Sequence, residues 1–419
     1  MPAATGARLA RAFLYYLLAV VGLVTLAPFA FHVPQHPSLT WQVQGADFLA
    51  NILMFVPLGF LYRLTPPVGR DRGAFGVLGL GLGFSAIIEA TQLFLPTRFS
   101  APADVLANGM GAWLGALALD GVARHFAETR RTFARLTLTL TLELPLMGLL
   151  YLLIPLLWLH GLAHGSRPLA AFLVLPLGLL GGVILAALHR YRFGPAGNAR
   201  PLQVSAAAGA WYALGVLPGS VAHPWPAIGS TIIVGCWTLL LARAPVFNVE
   251  RRFEGETLLR IAPLYVLFLG LLLFDPRMGP GHSGVRPGAE TEAILRSLEH
   301  LAAFTVLGYI VAESRGRREA AFGRAGVEVG VAACGVAGLM ELAAGSGASL
   351  PRAVAAIAAA VHGGWIYCLQ REHVRALLSE KLSEGRRWPL AVGPWLEALI
   401  DDKHGNPVPP FPSRPIADG

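Results

Sequence analysis

Continuous apolar runs, each close to the thickness of a bilayer core, recur along almost the whole chain, and short polar, Arg-rich stretches separate them. A hydrocarbon core about 30 Å thick takes roughly 20 residues of helix. The runs predict twelve spans, near 11–31, 46–62, 74–95, 102–122, 137–159, 169–188, 202–218, 226–242, 258–274, 293–312, 326–344 and 350–369. They do not alternate with a period of two, which argues against a transmembrane β-barrel. The expected fold class is all-α, a polytopic transmembrane helical bundle of about 12 spans.

Composition agrees. Hydrophobic residues make up 54% of the 419 and charged ones 14%, against about 25% charged in a soluble domain. In a soluble protein the net charge of +8 would point to nucleic acid. Here the basic residues fall in short loops between spans, so the positive-inside rule accounts for them and no nucleic-acid partner is expected. With the N-terminus inside, six Lys and Arg of the 33 lie outside (Arg98, Arg167, Arg277, Arg286, Arg296 and Arg352), and all the others lie inside. Both termini are therefore expected in the cytoplasm. Arg8 and Arg11 before an apolar run resemble a signal peptide, but the run is long enough to span and Pro28 in "LAPFAF" spoils a cleavage site, so an uncleaved first span is expected. Cys236, Cys334 and Cys368 sit in apolar segments without CxxC spacing and read as small buried hydrophobes. After residue 370 the sequence predicts a short surface helix and then a Pro-rich tail.

Topology gathers the polar exceptions. Asp47 and Asn51 open the second span, Glu89 and Gln92 close the third, Asp104 and Asn108 open the fourth, and Arg98 lies between the last two. All seven fall at one depth, the outer one. Each carboxylate–amide pair is spaced i,i+3 or i,i+4 and so shares a helix face. A charge at membrane depth costs about 2.5–3.5 kcal/mol, whereas an interhelical hydrogen bond returns only about 0.6–2 kcal/mol. A shared cavity explains the pairs better than simple locking of helices. Arg98, with its planar fork, is the natural counter-ion. Pro57 is expected to kink the second span, and Gly109, Gly111 and Gly115 to let helices approach.

The pattern D-x3-N-x3-F-x-P-x-G, E-x2-Q, R, D-x3-N-x2-G-x3-G, carried by Asp47, Asn51, Phe55, Pro57, Gly59, Glu89, Gln92, Arg98, Asp104, Asn108, Gly111 and Gly115, resembles the VanZ-like family of bacterial membrane proteins. The resemblance covers roughly residues 10–122. It implies a bacterial inner (cytoplasmic) membrane protein acting at the cell envelope, with membrane lipid around it and a link to glycopeptide (teicoplanin) tolerance. It supplies no reaction.

A weaker copy follows near the C-terminus. "LEHLAAFTVLGYI" matches "DFLANILMFVPLGFL" with Phe304 and Gly308 on Phe55 and Gly59, which sets His300 opposite Asn51. Glu341 falls opposite Glu89, and Trp365 aligns with Trp113, leaving alanines opposite Asp104 and Asn108. Glu299, His300 and Glu341 are the candidates for a reduced second site. The chain then divides into a VanZ-like four-span unit (1–125), a central four-span unit (126–256), a degenerate VanZ-like unit (257–370) and a cytoplasmic tail (371–419).

Two functional classes remain open. The first is binding or transport, in which Asp47, Asn51, Glu89, Gln92, Arg98, Asp104 and Asn108 grip an envelope-associated polar or lipid-linked ligand, such as a cell-envelope precursor or a glycopeptide-related molecule. The second is an enzyme, in which Glu89 or Asp104 acts as general acid or base on a lipid-linked or peptidoglycan precursor. The outer cluster holds no Cys or His, and His32 and His36 on the first outer loop read as interface residues. No metal-ligand, P-loop or Ser/His/Asp motif is evident, so neither a metal nor a cofactor is expected. The topology has a direct readout. Cysteines placed at positions 36 and 98 are expected to react with a membrane-impermeant maleimide added to whole cells, and protection at both would invert the scheme.

Overall fold

The computed structural model describes residues 2–33, 39–40, 45–63, 65, 73–96, 99–128, 146–164, 167, 170–193, 201–220, 223–243, 253–273, 289–315, 322–344 and 349–383. Arg98, His36 and the tail from 384 lie outside the described residues. So does the expected start of the fifth span. The described chain forms thirteen α-helices: α1 (Pro2–Leu26), α2 (Gly45–Arg63), α3 (Ala74–Gln92), α4 (Pro102–Glu128), α5 (Met147–His164), α6 (Ala170–Leu173), α7 (Leu175–Phe193), α8 (Pro201–Val216), α9 (Pro224–Arg243), α10 (Phe253–Leu273), α11 (Ala289–Arg315), α12 (Phe322–Ala344) and α13 (Leu350–Ser383). A 3-10 turn (Leu217–Gly219) follows α8, and the extended pairing among the described residues is a single bridge between Leu39 and Ser100. Eight helices are long and apolar enough to cross a membrane, and two shorter apolar stretches, Leu175–His189 and Thr257–Leu273, accompany them.

Twelve spans were expected; among the described residues the helices at the expected fourth (102–122) and seventh (202–218) spans, α4 and α8, are not among these eight and two, and the remaining differences are local. α5 runs on to His164 rather than stopping near 159. The expected sixth span is broken at Val174, where Pro176 opens α7. The last span and the expected surface helix are one continuous helix to Ser383, because no proline or glycine interrupts residues 365–383. Cys236 and Cys334 are exposed and Cys368 is half-buried, not core residues. They share the outside of the bundle with Ile232, Leu240, Leu259, Val266, Val331 and Leu339. In a membrane that surface meets acyl chains, which are as apolar as a core, so apolarity alone did not separate inward from outward positions.

At the centre lies α5. Almost every residue from Met147 to His164 is buried, as expected of a helix apolar all round. It packs on α11, α8 and α1, with Gly161 against Gly219 and Gly148 against Tyr309 and Gln370. α1 lies along α13 as well as α2. Thr5 pairs with His373 Nδ1 at 3.0 Å, and Arg8 with Glu372 at 3.0 Å.

Close backbone approaches join α2 to α4. A β-carbon on Gly59 would overlap the Ala112 carbonyl, one on Gly115 the Val56 carbonyl, and one on Gly111 the Ile52 carbonyl. Gly111 and Gly115 form a small-x3-small stripe on which α2 rests directly. The same contacts recur between α11 and α13, where Gly308 meets the Ala360 carbonyl and Gly363 meets the Thr305 carbonyl. This likeness of packing favours a different register from the one read in the sequence. Matching contact for contact sets Ala360 on Ala112 and Gly363 on Gly115, one helical turn away from the register that aligned Trp365 with Trp113. Trp365 is an exposed residue and so fixes no register, whereas a glycine pressed on a carbonyl does. In that register Arg352, rather than an alanine, falls opposite Asp104, and His300 falls opposite Asn51.

These contacts predict a steep cost for one methyl group. Gly59→Ala or Gly115→Ala is expected to destabilise the protein by about 1–3 kcal/mol through overpacking. Gly270→Ala, where a β-carbon meets nothing within 4 Å, is expected to be neutral or stabilising by a few tenths of a kcal/mol up to about 1 kcal/mol. Thermal unfolding of the detergent-solubilised protein compares the three, and equal midpoints would contradict the close approach.

Candidate functional site: an acidic end of the bundle

The end of α1, the start of α2, the end of α3 and the start of α4 meet at one end of the bundle. The strip between α1 and α2 lies over the α3–α4 connection there. His32 N–H donates to the Phe94 carbonyl at 2.8 Å and Thr40 N–H to the Ser100 carbonyl at 3.0 Å.

Glu89, in the last turn of α3, is buried. Its Oε2 accepts the Ala101 N–H at 2.8 Å, and the Ser100 hydroxyl also donates to it. Ala101 is the residue before Pro102, the first of α4. A carboxylate there satisfies a free amide and complements the positive end of the helix dipole. Glu89 therefore holds the α3–α4 corner, whatever else it does.

Asp104 lies in the first turn of α4 and is half-buried. The Asn51 side chain of α2 donates to it, and the Asp47 and Glu89 carboxylates are near enough to act on it electrostatically. Asp47 is exposed at the rim. A turn below Asp104, Asn108 is buried and its Nδ2 donates to Ser85 Oγ at 2.8 Å, while its Oδ1 is buried with no hydrogen-bond partner among the described residues. The structure thus brings Asp47, Asn51, Glu89 and Asp104 together, with Asn108 beneath. Gln92 turns away, its amide donating to the Thr25 carbonyl of α1 at 3.0 Å. It ties α3 to α1 rather than facing the cluster. Its i,i+3 spacing from Glu89 leaves the two about 60° apart around the helix, enough to reach different neighbours. Among the described residues no cation pairs with Asp47, Glu89 or Asp104.

The corresponding corner of α12 and α13 is built alike and charged differently. Glu341 Oε2 accepts the Ser349 N–H at 2.6 Å, as Glu89 accepts that of Ala101. Arg352 closes a fork on it, Nε to Oε1 at 2.7 Å and Nη2 to Oε2 at 2.6 Å. His300 lies against Phe304, with ring centroids 4.9 Å apart, in the electrostatic range of this pair. Glu299 leaves the group altogether. It points to α5, where His160 Nδ1 lies 2.6 Å from one carboxylate oxygen and His164 Nε2 lies 3.0 Å from the other. The three candidates expected to form one reduced site are therefore split between two arrangements. Adjacent residues on a helix point about 100° apart, and that separates Glu299 from His300. Arg352, His160 and His164 were missed from sequence. The H-x3-H spacing in "WLHGLAH" was the available signal, and it lay hidden across the expected end of a span.

An all-α bundle with charged side chains gathered at one end and a mostly apolar outside is a multi-pass membrane protein. Residues 11–123 match the VanZ/LLP1 family and constitute a VanZ/LLP1 domain, roughly a quarter of the chain. Neither a curated protein nor a solved structure matches the chain.

The corner geometry is open to measurement. Glu89→Ala removes a charge-assisted acceptor, an interaction of about 1.5–3 kcal/mol, so exchange of the Ala101 amide is expected to quicken about ten- to a hundredfold. Hydrogen–deuterium exchange of the peptide covering Ala101 reads this, and unchanged protection would remove Glu89 from the corner.

Proposed function

We propose that the VanZ/LLP1 domain binds the polar head of an envelope-associated, lipid-linked ligand at the acidic end of α2, α3 and α4, facing away from the cytoplasm. One observation carries the reading: Asp104 and Asp47 are held together by helix packing, with Asn51 donating to Asp104, at an accessible end of the bundle. Such a cluster is acceptor-rich and suits a ligand offering hydroxyl or amine donors, such as a sugar or amino headgroup. Arg98, in the segment between α3 and α4, adds a fork for an acidic group of the same ligand. The distribution of Lys and Arg supports an outward orientation with both termini in the cytoplasm and twelve crossings. A contribution to glycopeptide tolerance belongs to the same proposal, through retention or masking of a cell-wall precursor.

We read α11–α13 as a second, degenerate unit of the same kind. Its support is the recurrence of the glycine–carbonyl contacts and of the carboxylate capping the next helix. Arg352 in the place of Asp104 neutralises Glu341 internally, so this copy serves packing.

Asp104→Asn, Glu89→Gln and Arg98→Ala are each expected to abolish the envelope phenotype of a deletion strain's complementation, with and without glycopeptide, while the protein still accumulates in the membrane. Wild-type complementation by all three would end the proposal. Turnover of a lipid-linked precursor by the purified protein, lost in Glu89→Gln at unchanged substrate affinity, would replace binding with acid–base catalysis.

A further inference from the structure

The central helix carries chemistry for which the acidic end has no use. His160 and His164 lie one turn apart in the last turns of α5, and Glu299 faces them from α11. Their side chains are 4%, 4% and 0% exposed, and the two imidazole rings lie tilted at 37° with centroids 4.5 Å apart. His160 Nε2 lies 3.1 Å from the Ala170 carbonyl oxygen. A carbonyl only accepts, so this nitrogen carries the proton. In a neutral ring Nδ1 then presents a lone pair to Glu299 Oε1 at 2.6 Å. Two lone pairs at that separation repel unless a cation lies between them. His164 Nε2 approaches the second carboxylate oxygen at 3.0 Å, and one donor atom from each of the three residues lies within 4.8 Å of the others.

We propose that His160 Nδ1, His164 Nε2 and Glu299 bind one divalent first-row transition-metal ion of the zinc class at the centre of the bundle. Two imidazoles and one carboxylate are a donor set that suits such ions, and three protein ligands leave a fourth position for water or a further group. The Ala170 carbonyl supplies the outer-shell hydrogen bond that fixes the tautomer and aim of a ligating histidine. A proton alone, shared between Glu299 and His160, would neutralise the carboxylate without calling on His164. Ligand atoms around a tetrahedral ion with bonds of about 2.0–2.1 Å stand roughly 3.3 Å apart. Loading therefore moves the Glu299 carboxylate back from the imidazoles by roughly 0.3–0.7 Å, a shift within reach of its side-chain torsions. The site is independent of the proposed ligand at the acidic end.

The test uses the full-length protein in detergent, reconstituted with Zn2+ or Co2+, freed of excess ion and assayed by elemental analysis. About one ion per chain is expected, with the intense visible bands of tetrahedral Co2+ in the cobalt form. His164→Ala and Glu299→Gln are expected to lower the content about tenfold or more. A monodisperse wild-type protein that retains no ion and shows no such bands overturns the proposal and leaves a proton-sharing cluster. Retention of the ion in both variants overturns it equally, by placing the metal elsewhere. If the variants fail to fold, the wild-type stoichiometry and cobalt spectrum decide.

Discussion

The backbone contact between α2 and α4 sets the geometry on which the acidic end depends. Lipid offers no hydrophobic drive for two helices to associate, since acyl chains are as apolar as leucine. What remains is close packing, and close packing is greatest where side chains are missing. Gly59 against the Ala112 carbonyl and Gly115 against the Val56 carbonyl bring the two axes together and lock their register. That register places Asn51 beside Asp104. The same device between α11 and α13 places His300 near Arg352.

Much of this was legible in the sequence because membrane physics restricts it. Span length, the placement of basic residues and i,i+4 spacing were enough to predict an all-α bundle and to gather Asp47, Asn51, Glu89 and Asp104 at one end. What stayed hidden depended on partners outside the pattern. Gln92 shares a turn with Glu89, yet its nearest acceptor is the Thr25 carbonyl of α1, a contact that no spacing rule anticipates. Cys236 and Cys334 read as core because apolarity has the same meaning toward lipid and toward protein. His160 and His164 were invisible for a sharper reason. An apolar run was closed at its first polar residue, whereas the helix itself continues through both histidines once Glu299 is there to receive them.

The two corners carry different charges on a similar hydrogen-bond geometry. Glu89 and Glu341 both accept the amide that precedes a helix, which is a structural task. Asp104 adds a second carboxylate to the first corner, and Arg352 adds a cation to the other. A bidentate Arg–carboxylate pair spends its donors internally and presents little to a ligand. Carboxylates side by side do the reverse, because each raises the cost of ionising its neighbour until something with donors or positive charge arrives. Among the described residues the first corner therefore keeps its carboxylates without a paired cation, and the second does not.

Burial separates that open cluster from the histidines. At the rim, water screens Asp47 and Asp104, and the helices need only hold them in place. Glu299 has no water to rely on; it is fully buried ten residues on from Ala289, the first of α11. Deep in a membrane protein an isolated carboxylate is costly enough that it persists only with its charge compensated on the spot. Two histidines on the most enclosed helix of the bundle provide that compensation, by way of a proton or an ion. The central helix therefore does more than fill space. Its apolar body excludes water from the very residues that end it, and that exclusion makes whatever cation sits between them hard to lose.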